Sequence, residues 1–158
     1  MTTTPGTTAA AYSGYFHEAH DAMRKVVGGL SPALLDWKPG DQTNSIAVLI
    51  AHALDSELHG TAVVAGITMP RDRDAAFAVR GLTADELVTM IDSVERDVDG
   101  FLSRLTEERL DAAIERFGRT ASGARWLLHA AVHDQEHIGQ ATLTRQLAER
   151  AAAPGHAT

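Results

Sequence analysis

Cysteine is absent from this chain of 158 residues, and aromatic residues make up only 5% of it. The lack of cysteine excludes a disulfide framework, a thiolate metal site and a cysteine nucleophile. No apolar run approaches the ~18–20 residues that a helix needs to cross a bilayer. The first residues lack the charged-then-apolar order of a secretion signal, so we expect a cytoplasmic protein with no membrane partner.

Basic residues are scarce relative to acidic ones. The chain has 14 Lys and Arg against 21 Asp and Glu, which gives a net charge of −7. Proteins that bind nucleic acid normally present a basic face to the phosphates, so this balance argues against a nucleic-acid partner. The hydrophobic share of 44% is typical of a globular protein, and the length fits one domain.

The pattern between the two ends of the chain predicts four long helices. We expect residues 1–11 and 151–158 to be disordered tails and residues 12–150 to form a single domain. The helices are predicted at about 13–27, 45–66, 83–105 and 122–150. Their predicted N-caps are Asn44 or Ser45, Thr83 in a capping box with Glu86, and Ser122. The segment TEERLDAAIERF is expected to add at most a short turn, and no alternating run predicts a strand.

The predicted fold class is therefore all-α, a four-helix bundle. Residues 66–82 form a long connection between the second and third helices. An extended chain covers ~3.3 Å per residue, so this connection can traverse a bundle of ~30 Å lengthwise. It then allows the second and third helices to run in the same direction, which predicts an up-down-down-up order.

Histidine is unusually abundant, with eight residues in the chain. One face of the predicted fourth helix begins and ends with apolar residues and carries, between them, His129, His133, His137 and Gln140. A solvated face would carry Lys, Glu and Arg instead, so we expect these side chains to point inward. Burying imidazoles is costly unless their nitrogens find partners, and a metal ion satisfies several nitrogens at once.

The apolar stripe of the predicted second helix is interrupted in the same way at His52. Histidines four residues apart on a helix have Cβ atoms ~5–6 Å apart, close enough for both rings to reach one ion. Facing helices supply inward ligands in bundle metal sites. We therefore predict that one divalent ion is bound by His52, His133 and His137. The supporting residues predicted around them are His129, Gln140 and His20, of which the first could also bind, shield or simply pack.

Simpler interpretations of these residues stay open. A single histidine on an apolar face is more often a hydrogen-bonded core residue, which applies to His52 or His20 taken alone. His17 and His59 are expected at the surface or its boundary. A di-iron site is disfavoured because its Glu-x-x-His signature is approached only by Asp134, which the helical wheel places to the side.

Two segments resemble a known family, the DinB-like metalloproteins. The string NSIAVLIAHALDSELHG, preceded by LSPALLDWKPG, is similar to the second-helix region of this family. HDQEHIGQATLTRQL resembles its fourth-helix motif, His-x-x-x-His followed by Gly-Gln. The resemblance covers about Tyr15 to Leu147. It implies an up-down-down-up bundle, often a homodimer, with one divalent metal on His52, His133 and His137.

The resemblance also implies a chemistry. Some members are thiol-dependent transferases or isomerases that use bacillithiol or mycothiol, while many have no established activity. The residue after the second motif histidine is often Arg in such sequences, and here it is Ile138, so this chain lacks an anion-contacting cation at that position. Arginine outnumbers lysine twelve to two. This bias is typical of GC-rich coding and favours mycothiol as the thiol.

Three protein ligands leave the ion an open position, the pattern of catalytic rather than structural sites. We expect a metal-dependent S-transferase that joins a low-molecular-weight thiol to a small-molecule electrophile. A metal-dependent hydrolase and a non-catalytic, stress-associated or metal-carrying dimeric bundle are the alternatives. Imidazole ligands favour zinc or nickel, and iron also suits them.

Two carboxylates and one apolar strip complete the predictions. Asp55 and Glu136 are the candidate proton acceptors near the metal, or else carboxylates that orient an imidazole or lie at the surface. An apolar strip opposite the histidine face of the fourth helix fits a homodimer contact and internal packing equally well. Its members are Leu128, Ala131 and Ile138.

Overall fold

The structure of the chain, a computed structural model, describes residues 7–153. Within that range, the elements follow in the order α1 (Thr7–Val27), α2 (Pro32–Leu35), α3 (Ile46–Val64), α4 (Arg73–Ala78), α5 (Ala84–Leu102), α6 (Glu107–Asp111), β1 (Ala113–Arg116), β2 (Arg119–Ser122) and α7 (Gly123–Ala152). The long helices α1, α3, α5 and α7 form a helical bundle, as predicted. No helix in residues 7–153 is long and apolar enough to cross a membrane.

Side-chain N-caps mark the start of three of the long helices, at the residues that the sequence predicts. Ser45 and Ser122 precede α3 and α7, and each accepts a hydrogen bond from the backbone N–H three residues later. Thr83 and Glu86 form the capping box of α5, each side chain bonding the other residue's backbone. These contacts satisfy N–H groups that the first turn of a helix leaves unpaired.

Contacts between the helices give their directions. Helices α1 and α5 are antiparallel, because residue numbers increase along α1 as they decrease along α5 in the contacting pairs His17–Asp99, His20–Glu95 and Arg24–Asp92. Helices α1 and α7 are parallel, because both numbers increase in the pairs Tyr12–Ala124, Tyr15–Ala131 and Val26–Arg145. Helices α3 and α7 are antiparallel, as the pairs His52–His133 and Gly60–Ala130 show. The helices α3 and α5 therefore run opposite to α1 and α7, which confirms the up-down-down-up order.

Helix α3 is the most enclosed element of the bundle, with 14 of its 19 residues buried. One part of the core packs around Met23, Ile50 and Leu87. A second part packs around Phe16 and Trp126. Since α3 is surrounded by the other long helices, a polar side chain on it must find its partner inside the protein.

Residues 7–11 are helical rather than part of a disordered tail, because α1 begins at Thr7 and not near residue 13. Ala9 is only 2% exposed and belongs to the same core cluster as Leu102. Alanine has the highest intrinsic helix propensity, which outweighs the small size that suggested a tail. Helix α7 extends to Ala152, two residues beyond its predicted end. Residues 1–6 and 154–158 of the predicted tails lie outside the described range.

The prediction of no strand is wrong for residues 113–122. Strands β1 and β2 pair antiparallel with Arg116 opposite Arg119, so Phe117 and Gly118 form the turn. Both turn residues have positive φ, 53° and 70°, as in a type I′ turn. The usual sequence signals for this turn are Asn-Gly and Asp-Gly, and Phe-Gly is not among them. The Phe117 ring packs edge-on to Trp126, with 6.1 Å between their centroids.

The structure adds a helix to the long connection and decides between the two interpretations of the apolar strip. The connection between α3 and α5 contains the short helix α4, which begins at the N-cap Asp72. Of the three residues in the predicted strip, Leu128 is 45% exposed, but Ala131 and Ile138 are 3% and 8% exposed. The strip is therefore mostly core, and it supports packing rather than a dimer contact.

Candidate metal centre

Three histidines from two helices converge between α3 and α7. His52 lies on α3 and is 8% exposed, while His133 and His137 lie one turn apart on α7 and are partly exposed. One ring nitrogen from each of the three lies within 4.8 Å of the other two. The sequence-predicted ligand residues are thus brought together, and their partial exposure leaves the group open to solvent on one side.

The spacing of the two α7 rings suits a shared ion. Nε2 of His133 lies 3.2 Å from Nε2 of His137. Zinc–nitrogen bonds of 2.0–2.1 Å in tetrahedral geometry would place two ligand nitrogens about 3.3 Å apart. The His52 ring meets both from the facing helix, with centroid separations of 5.1 Å to His133 and 5.0 Å to His137.

An unpaired ring nitrogen on His52 supports the fit to a metal. Nδ1 of His52 is buried and has no hydrogen-bond partner among residues 7–153. Leaving a buried polar atom unpaired costs about 1–3 kcal/mol. A set of imidazole nitrogens is a donor set that divalent zinc, nickel and iron accept. The residues present therefore fit a divalent transition-metal ion.

The charge state of the rings is also suitable. Burial, and then the neighbouring rings of His137 and His52, lower the pKa of His133 to about 4. Burial, followed by the His137 ring, also lowers the pKa of His52. Neutral imidazole is the form that donates a lone pair to a metal. Both rings are neutral at pH 7, so neither must lose a proton to bind an ion.

Gln140 orients one of the three rings. Its Oε1 lies 2.9 Å from Nδ1 of His137 and accepts a hydrogen bond from the N–H there. This bond fixes the tautomer and leaves Nε2 of His137 as the free donor toward His133. The predicted supporting role of Gln140 therefore has a definite contact.

The short helix α4 covers the α3 side of the centre. The Phe77 ring lies against His52, with 4.5 Å between their centroids. The guanidinium of Arg73 lies over the Phe77 ring, with its Cζ 5.1 Å from the ring centroid. Phe77 and Val48 also line a cavity of about 510 Å³ at the start of α3. The sequence did not predict that α4 covers His52, because the connection between α3 and α5 has no long periodic pattern.

The other residues predicted near the metal, His129, Asp55 and Glu136, lie outside the group of three histidines. His129 is exposed, and its ring centroid lies 5.7 Å from that of Trp126 and 6.3 Å from that of His133. Asp55 is held by Arg71, with Oδ2 2.6 Å from Nη2 and 2.9 Å from Nε. Glu136 is exposed on α7. Asp55 is therefore already paired with a cation, and neither carboxylate contacts the three histidines in the described chain.

His20 lies in the core rather than beside the metal group. Its side chain is fully buried, with Nε2 2.9 Å from Oε2 of Glu57 and Nδ1 3.2 Å from Oε2 of Glu95. Burial by itself would lower the pKa of His20. The hydrogen bonds and negative charges of Glu57 and Glu95 raise this pKa by more, so it lies above its ordinary value. These two contacts link α1 to α3 and α5. Within residues 7–153, His20 contacts none of the three histidines of the metal group.

The helical wheel places Asp134 to the side of the histidine face of α7, and in the structure this residue is 0% exposed. Burial and the neighbouring Glu57 carboxylate raise the pKa of Asp134 well above its ordinary value. In its protonated form Asp134 can donate a hydrogen bond to Glu57. The signal that could have revealed this burial is the ring of apolar positions one and two turns away, Leu127, Ala130, Ile138 and Ala141.

The fold and the site together define a four-helix bundle with a three-histidine centre between its second and fourth long helices. The chain belongs to the DinB superfamily, whose family model matches residues 15–141. This match confirms the family that the sequence motifs suggested. No curated protein has a sequence that matches this chain.

Solved structures share the fold at low sequence identity. A DinB-like protein from Bacillus subtilis is 20% identical, with a TM-score of 0.69 over 91% of this chain and 94% of that one. A conserved protein from Enterococcus faecalis is 16% identical, with a TM-score of 0.76 over 89% and 96%. A DinB-like protein from Bacillus cereus is 16% identical, with a TM-score of 0.74 over 89% and 92%. These likenesses extend over nearly the whole length of each chain.

Proposed function

We propose that this chain is a metal-dependent S-transferase, which joins a low-molecular-weight thiol to a small electrophile. The observation that carries the proposal is the convergence of three histidine nitrogens within 4.8 Å on two facing helices. Three protein ligands with a side open to solvent are the pattern of catalytic sites, whereas structural zinc sites have four. His52, His133 and His137 would hold the ion, with zinc or nickel favoured.

A divalent ion held there supplies Lewis-acid chemistry, because it lowers the pKa of a thiol or water molecule that reaches it. Around it, the chain supplies orientation and shelter. Gln140 fixes the His137 ring, and Phe77 shields His52 from the α4 side. The cavity of about 510 Å³ beside Phe77 reaches Val48, one helical turn before His52, and its lining does not include the three histidines.

The proposed transfer balances without a redox partner. The thiol proton passes to solvent, and the sulfur lone pair forms the new carbon–sulfur bond. The leaving group of the electrophile departs with the electron pair of the bond that breaks. No basic side chain is needed, which is consistent with Asp55 being occupied by Arg71. Mycothiol, the thiol favoured by the arginine-rich composition, is the first thiol to test.

Cobalt-loaded protein provides the test. Addition of mycothiol to the wild type should give the near-ultraviolet absorption of a sulfur–cobalt bond, and an electrophile such as a chlorodinitrobenzene should then yield the thioether by mass spectrometry. His133→Ala should give neither signal, while His129→Ala, an exposed histidine one turn away, should give both. Absence of a thiol signal in the cobalt-loaded wild type would contradict the transferase. Ester hydrolysis by that same protein would favour the hydrolase instead.

A further inference from the structure

Arg116 is a mostly buried cation that pairs with no carboxylate of residues 7–153. Its side chain is on the hairpin strand β1, and the residue is 9% exposed. The arginine–carboxylate salt bridges of residues 7–153 use Arg24, Arg71 and Arg145, and none uses Arg116. None of its nitrogens is a fully buried, unpaired atom in the described chain, so the guanidinium keeps some contact with solvent, from which a ligand can reach it. The chain has a net charge of −7, so the missing partner does not reflect a general shortage of acidic groups.

The surrounding residues hold the guanidinium in place without neutralising it. Its Cζ lies 5.3 Å from the centroid of the Trp126 ring and 5.0 Å from that of Phe117. The guanidinium also approaches α3 at Gly60, where a Cβ would lie only 3.3 Å from Nη1. The aromatic rings and the missing side chain at residue 60 thus position the guanidinium between α3 and α7.

The other titratable groups nearby are basic or already paired. Burial and then the charge of Arg71 lower the pKa of Arg116. Burial, followed by Arg71 and Arg116, lowers the pKa of His59. Nδ1 of His59 is buried and has no partner among residues 7–153. The nearby Asp55 is bound to Arg71, so the local field favours an anion.

The guanidinium of Arg116 lies beside Trp126, on the part of α7 that precedes the three histidines. Trp126 precedes His133 by seven residues, about two helical turns or ~10 Å. His129 lies between them, with its ring near both Trp126 and His133. An elongated molecule could therefore reach the histidine group with one end and Arg116 with the other.

We propose that Arg116 binds the terminal oxyanion, a carboxylate or phosphate, of a molecule whose other end reaches the three-histidine centre. The choice of that molecule rests on the proposed function, since a thiol at the far end would meet the metal. A planar guanidinium offers two parallel N–H donors to an oxyanion, which lysine cannot do.

Two thiols of equal length test the proposal. Binding of mercaptohexanoic acid and mercaptohexanol to metal-loaded protein is measured by calorimetry. We expect the acid to bind the wild type at least about tenfold more tightly than the alcohol, because a charge-assisted hydrogen bond is at stake. Arg116→Gln should abolish this preference. Arg119→Gln should retain it, since Arg119 is the exposed cross-strand neighbour of Arg116. Equal binding of acid and alcohol by the wild type, or a preference that survives Arg116→Gln, would overturn the proposal.

A second measurement separates this inference from the proposed function. If neither thiol binds, the transferase proposal fails, and acetate and inorganic phosphate are then titrated into wild type and variant. Binding of either anion that Arg116→Gln weakens at least about tenfold supports the oxyanion site alone, and the tighter anion identifies its chemistry. Anion binding that is absent, or equal in both proteins, overturns it. Arg116→Met, which keeps the stacked aliphatic stem, replaces Arg116→Gln if thermal unfolding shows that the latter does not fold.

Discussion

His133 and Asp134 are neighbours in sequence, yet their side chains enter different environments. His133 faces His52 and His137 in the metal group, while Asp134 is fully buried beside Glu57. The helical wheel predicted the first because the histidines recur every four residues. It missed the second because a wheel gives directions around one helix but not which distant residues pack there. Glu57 is 77 positions away along the chain.

The hydrogen bond from His137 to Gln140 gives a prediction at this scale. Gln140→Ala should weaken metal affinity about 10–100-fold, because the ring loses the acceptor that fixes its tautomer. Competition with a chelator of known affinity measures the change. Gln135→Ala, an exposed glutamine on the same helix, is the matched control and should bind as the wild type does. Equal affinities for all three proteins would show that Gln140 does not orient the ligand.

At the scale of elements, α7 contains two glycines in opposite surroundings. A Cβ at Gly123 would overlap the carbonyl oxygen of Arg109, whereas no atom lies within 4 Å of one at Gly139. Gly123→Ala should therefore lower the free energy of unfolding by about 2 kcal/mol or more, through overpacking. Gly139→Ala should raise it by about 0.5–1 kcal/mol, because alanine is the better helix former. Urea unfolding measures both, and shifts of the same sign would contradict the packing at the start of α7.

The buried His20–Glu57 pair gives a pH-dependent prediction. The folded-state pKa of His20 is raised above 6.5, so the stabilisation from its charged form is complete below pH 6.5 and is lost as the pH rises through the folded-state pKa. His20→Gln should cost about 3 kcal/mol of unfolding free energy at pH 6 and less at pH 9.

Unfolding in urea at the two pH values, with chelator present, measures the difference between variant and wild type. His17→Gln is the control, because it removes a more exposed histidine–carboxylate contact on the same helix and should cost less than ~1 kcal/mol. A cost for His20→Gln that is equal at both pH values, or greater at pH 9, would mean that the folded protein does not hold the ring charged.

The long helices were more predictable than the connections between them. Local chemistry at Ser45, Thr83 and Ser122 marks the helix starts in sequence, since each cap is complete within three residues. The hairpin turn has positive φ at both Phe117 and Gly118. Its Phe-Gly sequence is not one of the usual signals for such a turn, so a residue-by-residue pattern does not reveal it.

For the whole molecule, the three histidines join two helices that are far apart in sequence. An ion bound only by the folded chain should stabilise it, by about 2.7 kcal/mol when the free ion is 100 times its dissociation constant. Unfolding of zinc-loaded and chelator-treated protein measures this gain. His133→Ala should show almost no difference between the two conditions. Equal stability of the wild type with and without zinc would mean that the folded chain does not bind zinc preferentially.

The metal content of protein purified without added metal tests the histidine centre most directly. Elemental analysis should find about one equivalent of a divalent transition metal in the wild type and in His129→Ala, because His129 lies outside the group of three. It should find almost none in folded His52→Ala and His133→Ala. A wild type that folds and purifies without metal, and binds none when zinc or nickel is added, would contradict a metal centre at these residues.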